Sequence, residues 1–152
     1  MTVTREDDIE DDGLSWRVEV ARNFRADIFV SLHCNSCENT EAHGTEVWYF
    51  PDSEAGRSLA RCIQGAVVQN CDTADRGVKT NGTWTVLRET SCPAVLVEMA
   101  IISNDRESES LTDKFLQWQL AVGIYNGIAK FSQSGVLPDH GDVVARVAGS
   151  NI

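Results

Sequence analysis

Two short apolar runs, each ending on a side chain able to do chemistry, constrain this chain more than anything else in it. Ile28-Phe29-Val30-Ser31-Leu32 leads into His33, and Pro93-Ala94-Val95-Leu96-Val97 leads into Glu98. Brief β-branched runs bounded by breakers read as strands buried on both faces, as in a parallel sheet. In open α/β sheets, ligands gather just beyond the carboxyl ends of such strands. An imidazole and a carboxylate are thereby delivered to one sheet edge, the arrangement of an active site. A lone histidine at a strand end also serves as an ordinary hydrogen-bonding residue, and a lone glutamate as a solvated one. The pair acquires meaning from its neighbours.

Around these runs the chain alternates strand and helix. Leu14, Val18, Ala21 and Phe24 recur near helical spacing over 13–25, and strands are predicted at 27–33 and 45–50. Ser53 can cap a helix running to about residue 70, with Leu59, Ile63, Ala66 and Val67 inward. A loop over 72–83 precedes predicted strands at 84–88 and 94–98. Asn104 with Glu107 forms a capping-box pattern. Phe115, Trp118, Ala121, Val122, Tyr125 and Ile128 stripe a last helix. This alternation predicts an α/β fold, a largely parallel twisted sheet flanked by helices. Residues 1–131 form one domain in this reading and 132–152 a flexible tail.

The strings around His33 and Glu98 carry a resemblance. His33-Cys34-Asn35-Ser36, and Glu98 followed by Met99-Ala100-Ile101-Ile102-Ser103-Asn104, resemble the zinc-dependent N-acetylmuramoyl-L-alanine amidases of the amidase-3 family. Thr4-Arg5-Glu6-Asp7 is similar to the family's TRxxD strand end. Leu14, Arg17, Ala21 and Asn23 fit its LxxRxxxAN helix, and Ala42-His43-Gly44-Thr45-Glu46-Val47-Trp48-Tyr49-Phe50 its next strand. Asp75-Arg76-Gly77-Val78-Lys79 and Val86-Leu87-Arg88-Glu89-Thr90 resemble the DRGVK and VLRxT segments. In order, these strings cover about residues 2–131.

The resemblance implies a peptidoglycan hydrolase that cuts the amide between N-acetylmuramic acid and L-alanine. In that family zinc sits on three protein ligands, keeps a fourth position for water and lowers the pKa of that water. His33 matches one ligand, Glu98 matches the catalytic glutamate that takes the water's proton, and Asn35 stands beside the ligand as a supporting residue. Family members open with a strand ending in a GHGG-like turn and a helix start bearing a glutamate, which supply the other two ligands. This sequence opens at Met1-Thr2-Val3-Thr4-Arg5, which matches a later strand. The expectation is a domain lacking its N-terminal strand and helix, which by itself does not hold zinc stably. An inactive remnant that binds wall fragments or a partner is the alternative. Some regulated members carry an inserted helix after the strand matching 45–50; here only Pro51-Asp52 precedes Ser53, which leaves no room for one.

Charge and cysteine content narrow the partners. The formal net charge is −10, with much of it in Glu6-Asp7-Asp8-Ile9-Glu10-Asp11-Asp12. Such a run reads as a solvated loop leading into a helix N-terminus, and it lacks the spacing of a calcium loop. An acidic chain argues against nucleic acid, whose phosphates need clustered Lys and Arg. No apolar stretch approaches a membrane span, and no secretory leader is legible. The resemblance places the site of action at the cell wall, in the periplasm or outside the cell. Cys34, Cys37, Cys62, Cys71 and Cys92 are an odd number, and free thiols are expected. Cys34 and Cys37 form a CxxC beside His33, but no second pair exists to complete a structural zinc site. Neither His43 nor His140 matches a ligand position. Trp84 reads as a core anchor rather than a glycan platform.

Overall fold

The two apolar runs fold as neighbouring parallel strands, β1 (Phe29–Asn35) and β4 (Ala94–Ile101), paired in register from Phe29 with Ala94 to His33 with Glu98. Val30, Val95 and Val97 are completely buried between helical layers, so both faces of these strands must be apolar. The structure is a computed structural model that describes residues 2–4, 13–135 and 147–149. Around the central pair lie α1 (Leu14–Asn23), β2 (Thr45–Tyr49), α2 (Glu54–Cys71), β3 (Asp75–Thr80) and α3 (Thr85–Arg88). Beyond β4 come α4 (Asp105–Ser110), α5 (Lys114–Ser132) and β5 (Val147–Gly149). The sheet order is β3-β2-β4-β1-β5, and every pairing is parallel except that of β2 with β4. The largely parallel α/β sheet expected from the sequence is therefore the fold.

Strand alternation sorts the side chains onto two faces. On one face Val30, Val47, Val95 and Val97 pack with Leu59, Ile63 and Val67 of α2 and with Ile124, Ile128 and Phe131 of α5. On the other, Phe29, Ala94 and Leu96 meet Ala21 of α1 and Val86 and Leu87 of α3. Helix ends follow the sequence signals. Ser53 Oγ accepts a hydrogen bond from Gly56 N at 3.0 Å, and Asp113 Oδ1 accepts one from Phe115 N at 2.9 Å. Asn104 Oδ1 accepts from the backbone of Arg106 and Glu107, as its capping pattern predicts. The Glu107 side chain does not reach back to Asn104. It spans instead from Gly44 N (2.9 Å) to Ile101 N (2.7 Å), tying the start of β2 to the end of β4.

Three readings of the sequence need correction. The 72–83 segment is not a loop: 75–80 form β3, an edge strand whose charged residues disguise it, bulged at Gly77 with φ 79°. The predicted strand at 84–88 is the short helix α3. Asn81 Oδ1 turns the chain by accepting from Thr83 N and Trp84 N, and Val86 and Leu87 bury against the sheet, so packing overrides β-propensity. The aromatic stripe on α5 faces outward: Phe115, Trp118 and Tyr125 are 60–66% exposed. The buried face runs instead through Leu120, Gly123, Ile124, Gly127, Ile128 and Phe131. Ser132 closes α5, and Val147–Gly149 lie parallel to Val30–Leu32 of β1.

Glycine sets the face of α5. A Cβ on Gly127 would lie 2.4 Å from Ile63 Cα, and one on Gly123 would lie 3.0 Å from Val67 Cα. The two helices touch backbone to backbone there. Asn70 and Gln119 then clamp the pair by each donating a side-chain amide to the other's carbonyl, at 2.6 and 3.1 Å.

This contact makes a paired prediction. Gly127→Ala should cost about 1–3 kcal/mol of stability, since the obstacle is backbone that cannot move aside. Gly65→Ala, exposed in mid-helix with nothing within 4 Å, should instead stabilise by roughly 0.5–1 kcal/mol. Urea midpoints of the two variants check both signs.

Candidate active site

Parity along three strands builds the site. Phe29, Ser31 and His33 of β1 point to the α1–α3 face, as do Ala94, Leu96 and Glu98 of β4. Glu46 of β2 pairs with Glu98 across the antiparallel ladder, and Trp48 follows it on the same face. His33, Glu98 and Glu46 thus form one row across β1, β4 and β2. Both residues singled out at strand ends in the sequence are brought together by the sheet.

Glu46 anchors the row. It is 1% exposed, yet its two oxygens receive four donors. Asn35 Nδ2 and Trp48 Nε1 each donate to Oε1 at 3.0 Å. Arg76 Nε at 2.8 Å and Lys79 Nζ at 2.5 Å both donate to Oε2. Burial alone would raise its pKa, but the hydrogen bonds from Lys79 and Arg76 outweigh that, and the carboxyl is held below the ordinary value. Glu46 is therefore a fixed negative charge. Two β3 residues that sit in the segment read as a loop supply its counter-ions.

Glu98 is the opposite case. It is buried, and its Oε2 has no hydrogen-bond partner among the described residues. Burial first, and the neighbouring Glu46 charge second, push its pKa up to about 7. A carboxyl poised there can accept or release a proton at neutral pH.

His33 stands beside Glu98 in register. Its Nε2 shares a hydrogen bond of 2.9 Å with Ser31 Oγ. Burial, and then the Arg17 charge on α1, lower its pKa, so the imidazole is neutral and available as a ligand or hydrogen-bonding group. Asn35 makes no hydrogen bond to His33 among the described residues. It donates to Glu46, and its Oδ1 accepts from Ser36 N at 2.7 Å. Cys34 turns to the other face, against the α2–α5 core, where burial and then Glu98 and Glu107 push its thiol up. No disulfide joins any of the five cysteines. His43 is engaged with the Glu41 carbonyl at 3.0 Å, and His140 lies outside the described residues.

Whether these residues suit the zinc implied by the resemblance is a question of donors. Among the described residues, no three His, Cys, Asp or Glu side chains are grouped to hold a metal ion. His33 is one donor, Glu46 is consumed by its four partners, and Cys34 faces away. The described residues by themselves do not make a zinc site.

Ser31, Glu46, Arg76 and Lys79 went unassigned in the sequence. Glu46 carried a signal: an acid inside an apolar strand, two residues from Trp48, is placed on the same face as that ring. The Ser31–His33 spacing carried the same information.

The raised Glu98 pKa has a consequence for stability. An ordinary glutamate ionises near 4.5 and the folded Glu98 near 7, so the folded state holds this proton more tightly. The contribution is intact below about pH 4.5 and is lost as pH rises through about 7, a swing on the order of 3 kcal/mol. Glu98→Gln, which never ionises, should unfold at a higher temperature than the parent chain at about pH 8.5 and at a similar one near pH 4.5. Thermal unfolding at the two pH values reads the difference.

Comparison with known proteins agrees with this architecture. The N-acetylmuramoyl-L-alanine amidase family of the amidase-3 type matches residues 1–130. An uncharacterized cell wall amidase of Bacillus anthracis is 38% identical over 128 residues, covering 79% of this chain and 24% of that protein. The N-acetylmuramoyl-L-alanine amidase LytC of Bacillus subtilis is 33% identical over 120 residues, covering 78% and 24%. The chain thus spans about a quarter of the length of these curated relatives. Among solved structures, the CwlD amidase of Clostridioides difficile, determined in complex with the GerS lipoprotein, superposes with a TM-score of 0.81 at 32% identity. That match covers 86% of this chain and 74% of the other. A family match over residues 1–130, on this fold, settles the family: the protein belongs to the N-acetylmuramoyl-L-alanine amidases of the amidase-3 type.

Proposed function

We propose that this protein hydrolyses the amide between N-acetylmuramic acid and L-alanine in peptidoglycan, with Glu98 as the group that moves the proton. The observation that carries the reading is the buried Glu98 Oε2, without a hydrogen-bond partner among the described residues, of a carboxyl whose pKa is pushed up to about 7, within the N-acetylmuramoyl-L-alanine amidase family. In the ionised form Glu98 takes a proton from a water as the water oxygen bonds to the amide carbon. It then returns that proton to the departing nitrogen as the C–N bond breaks, leaving a carboxylate and a free alanine amino group. Glu46 cannot share this role, because its oxygens are saturated and its charge is fixed by Arg76 and Lys79. Asn35 acts through Glu46 as a positioning residue. His33 is the family's ligand position in this reading, and a zinc held there needs further donors from beyond the described residues.

The substrate is the peptidoglycan of the wall, and the site of action is the wall itself. Among the described residues, no helix is long and apolar enough to cross a membrane. A second reading is favoured by the absence of a three-donor metal group among the described residues: the same face binds wall fragments without cutting them.

Purified peptidoglycan distinguishes the two. With the further zinc donors supplied, alanine amino termini should appear when it is incubated with the protein and zinc, and Glu98→Gln should lower their rate of release by roughly 10²–10⁴-fold. Co-sedimentation with peptidoglycan without any release would favour the binding reading. Near-parental turnover by Glu98→Gln would remove Glu98 from the chemistry.

A further inference from the structure

Beside the reactive row lie two cations that share a single counter-ion. Arg76 and Lys79 on β3 both reach Glu46 Oε2, so two positive charges meet one negative charge and the cluster keeps a net charge of +1. Both side chains remain open to solvent, at 32% and 35% exposure, while Glu46 is sealed beneath them at 2%. Their donors are only partly used. Among the described residues, the Arg76 side chain donates through Nε alone, and its terminal N–H groups make no hydrogen bond there. Lys79 Nζ makes one hydrogen bond and sits 5.3 Å from the centre of the Trp48 ring. Trp84 packs against Trp48 with ring centres 5.1 Å apart, adding an apolar wall next to the cations.

The spacing connects this cluster to the reaction. In the sheet order β3 lies two strands from β4, but both cations reach across to Glu46 on β2, the neighbour of Glu98, so at about 4.8 Å per strand their charged groups lie roughly 5–10 Å from Glu98. An extended peptide advances about 3.3–3.6 Å per residue, so a carboxylate two or three residues beyond the scissile amide reaches the same place. A guanidinium fork with a neighbouring ammonium is suited to a carboxylate, and partial burial protects the pairing from full screening.

We propose that Arg76 and Lys79 form a carboxylate-binding subsite that selects peptides bearing a free acid two or three residues from the bond to be cut. The inference rests on the reading of the Glu98 row as the amide-cleaving site, and it adds the class of peptide that row accepts. It also explains why an otherwise satisfied buried glutamate carries two cations: one neutralises it and the surplus charge faces the substrate. The overall charge of −10 would repel an acidic peptide, so a preference for the acid must come from a local site.

The test compares N-acetylmuramoyl-alanyl-glutamic acid with its glutamine counterpart, which differs only by carboxylate against carboxamide, in NMR titrations of the full chain. The acid should bind at least about tenfold more tightly at low salt, shift the Trp48 and Trp84 indole signals, and lose its advantage as salt is added. Lys79→Met and Arg76→Gln should each reduce the preference, and Lys79→Arg should retain it. Equal binding of the two ligands would overturn the subsite and leave Glu98-dependent cleavage of peptidoglycan standing. Binding of neither, or a preference that survives loss of both cations, would overturn it as well. The comparison of ligands on the parent chain decides the matter even if a variant fails to fold.

Discussion

A buried carboxylate that must be neutralised holds the working face of this protein together. Glu46 sits in the middle of β2 with almost no exposure, and a bare charge there would be prohibitively costly. Its four donors come from three strands: Asn35 from β1, Trp48 from β2, and Arg76 and Lys79 from β3. The edge strand β3 has little apolar material of its own, and this ionic tie fastens it to the sheet beside its backbone ladder. The same fixed charge faces Glu98 across the ladder and contributes to its raised pKa. One residue thereby joins the architecture of the sheet to the proton affinity of the site.

The two faces of the sheet divide the labour. The α2–α5 face is dry and closely packed, with Gly123 and Gly127 allowing the helices to touch and the Asn70–Gln119 clamp setting their register. The α1–α3 face starts apolar at Phe29, Ala94 and Leu96 and becomes polar toward the carboxyl ends of β1 and β4. The first face makes the scaffold rigid, and rigidity is what lets the second hold His33, Glu98 and Glu46 in one row. Glu107 contributes from the edge by bonding the backbone at both Gly44 and Ile101, which fixes where β2 begins relative to the end of β4.

Much of this was legible in order along the chain. Runs such as Pro93-Ala94-Val95-Leu96-Val97 read as buried strands, and Ser53 and Asn104 read as cap residues ahead of helices. His33 and Glu98 were recognisable because each follows an apolar run. Other features were hidden by rules that act over long range. The charged 75–80 segment has no strand pattern until β2 offers a partner. Thr85–Arg88 has strand-like residues yet coils into a helix because Val86 and Leu87 find their burial that way. The aromatic residues of α5 outweigh its glycines in any count of hydrophobicity, although the glycines mark the face in contact.

Local chemistry alone therefore determined which segments are strands buried on both faces, where several helices start, and which imidazole and carboxylate stand at strand ends. Those properties depend on residues a few positions apart, and the chain cannot avoid them. Tertiary structure alone decided that Glu46 faces Glu98, that Arg76 and Lys79 neutralise Glu46 and that Glu98 Oε2 has no hydrogen-bond partner among the described residues. Each of these depends on strand order and register, which bring Glu46 and Glu98 together across 52 positions of chain. Burial is what gives the contacts their strength: the same carboxylates in water would be two ordinary glutamates, while in the sheet one is held charged and the other close to neutrality.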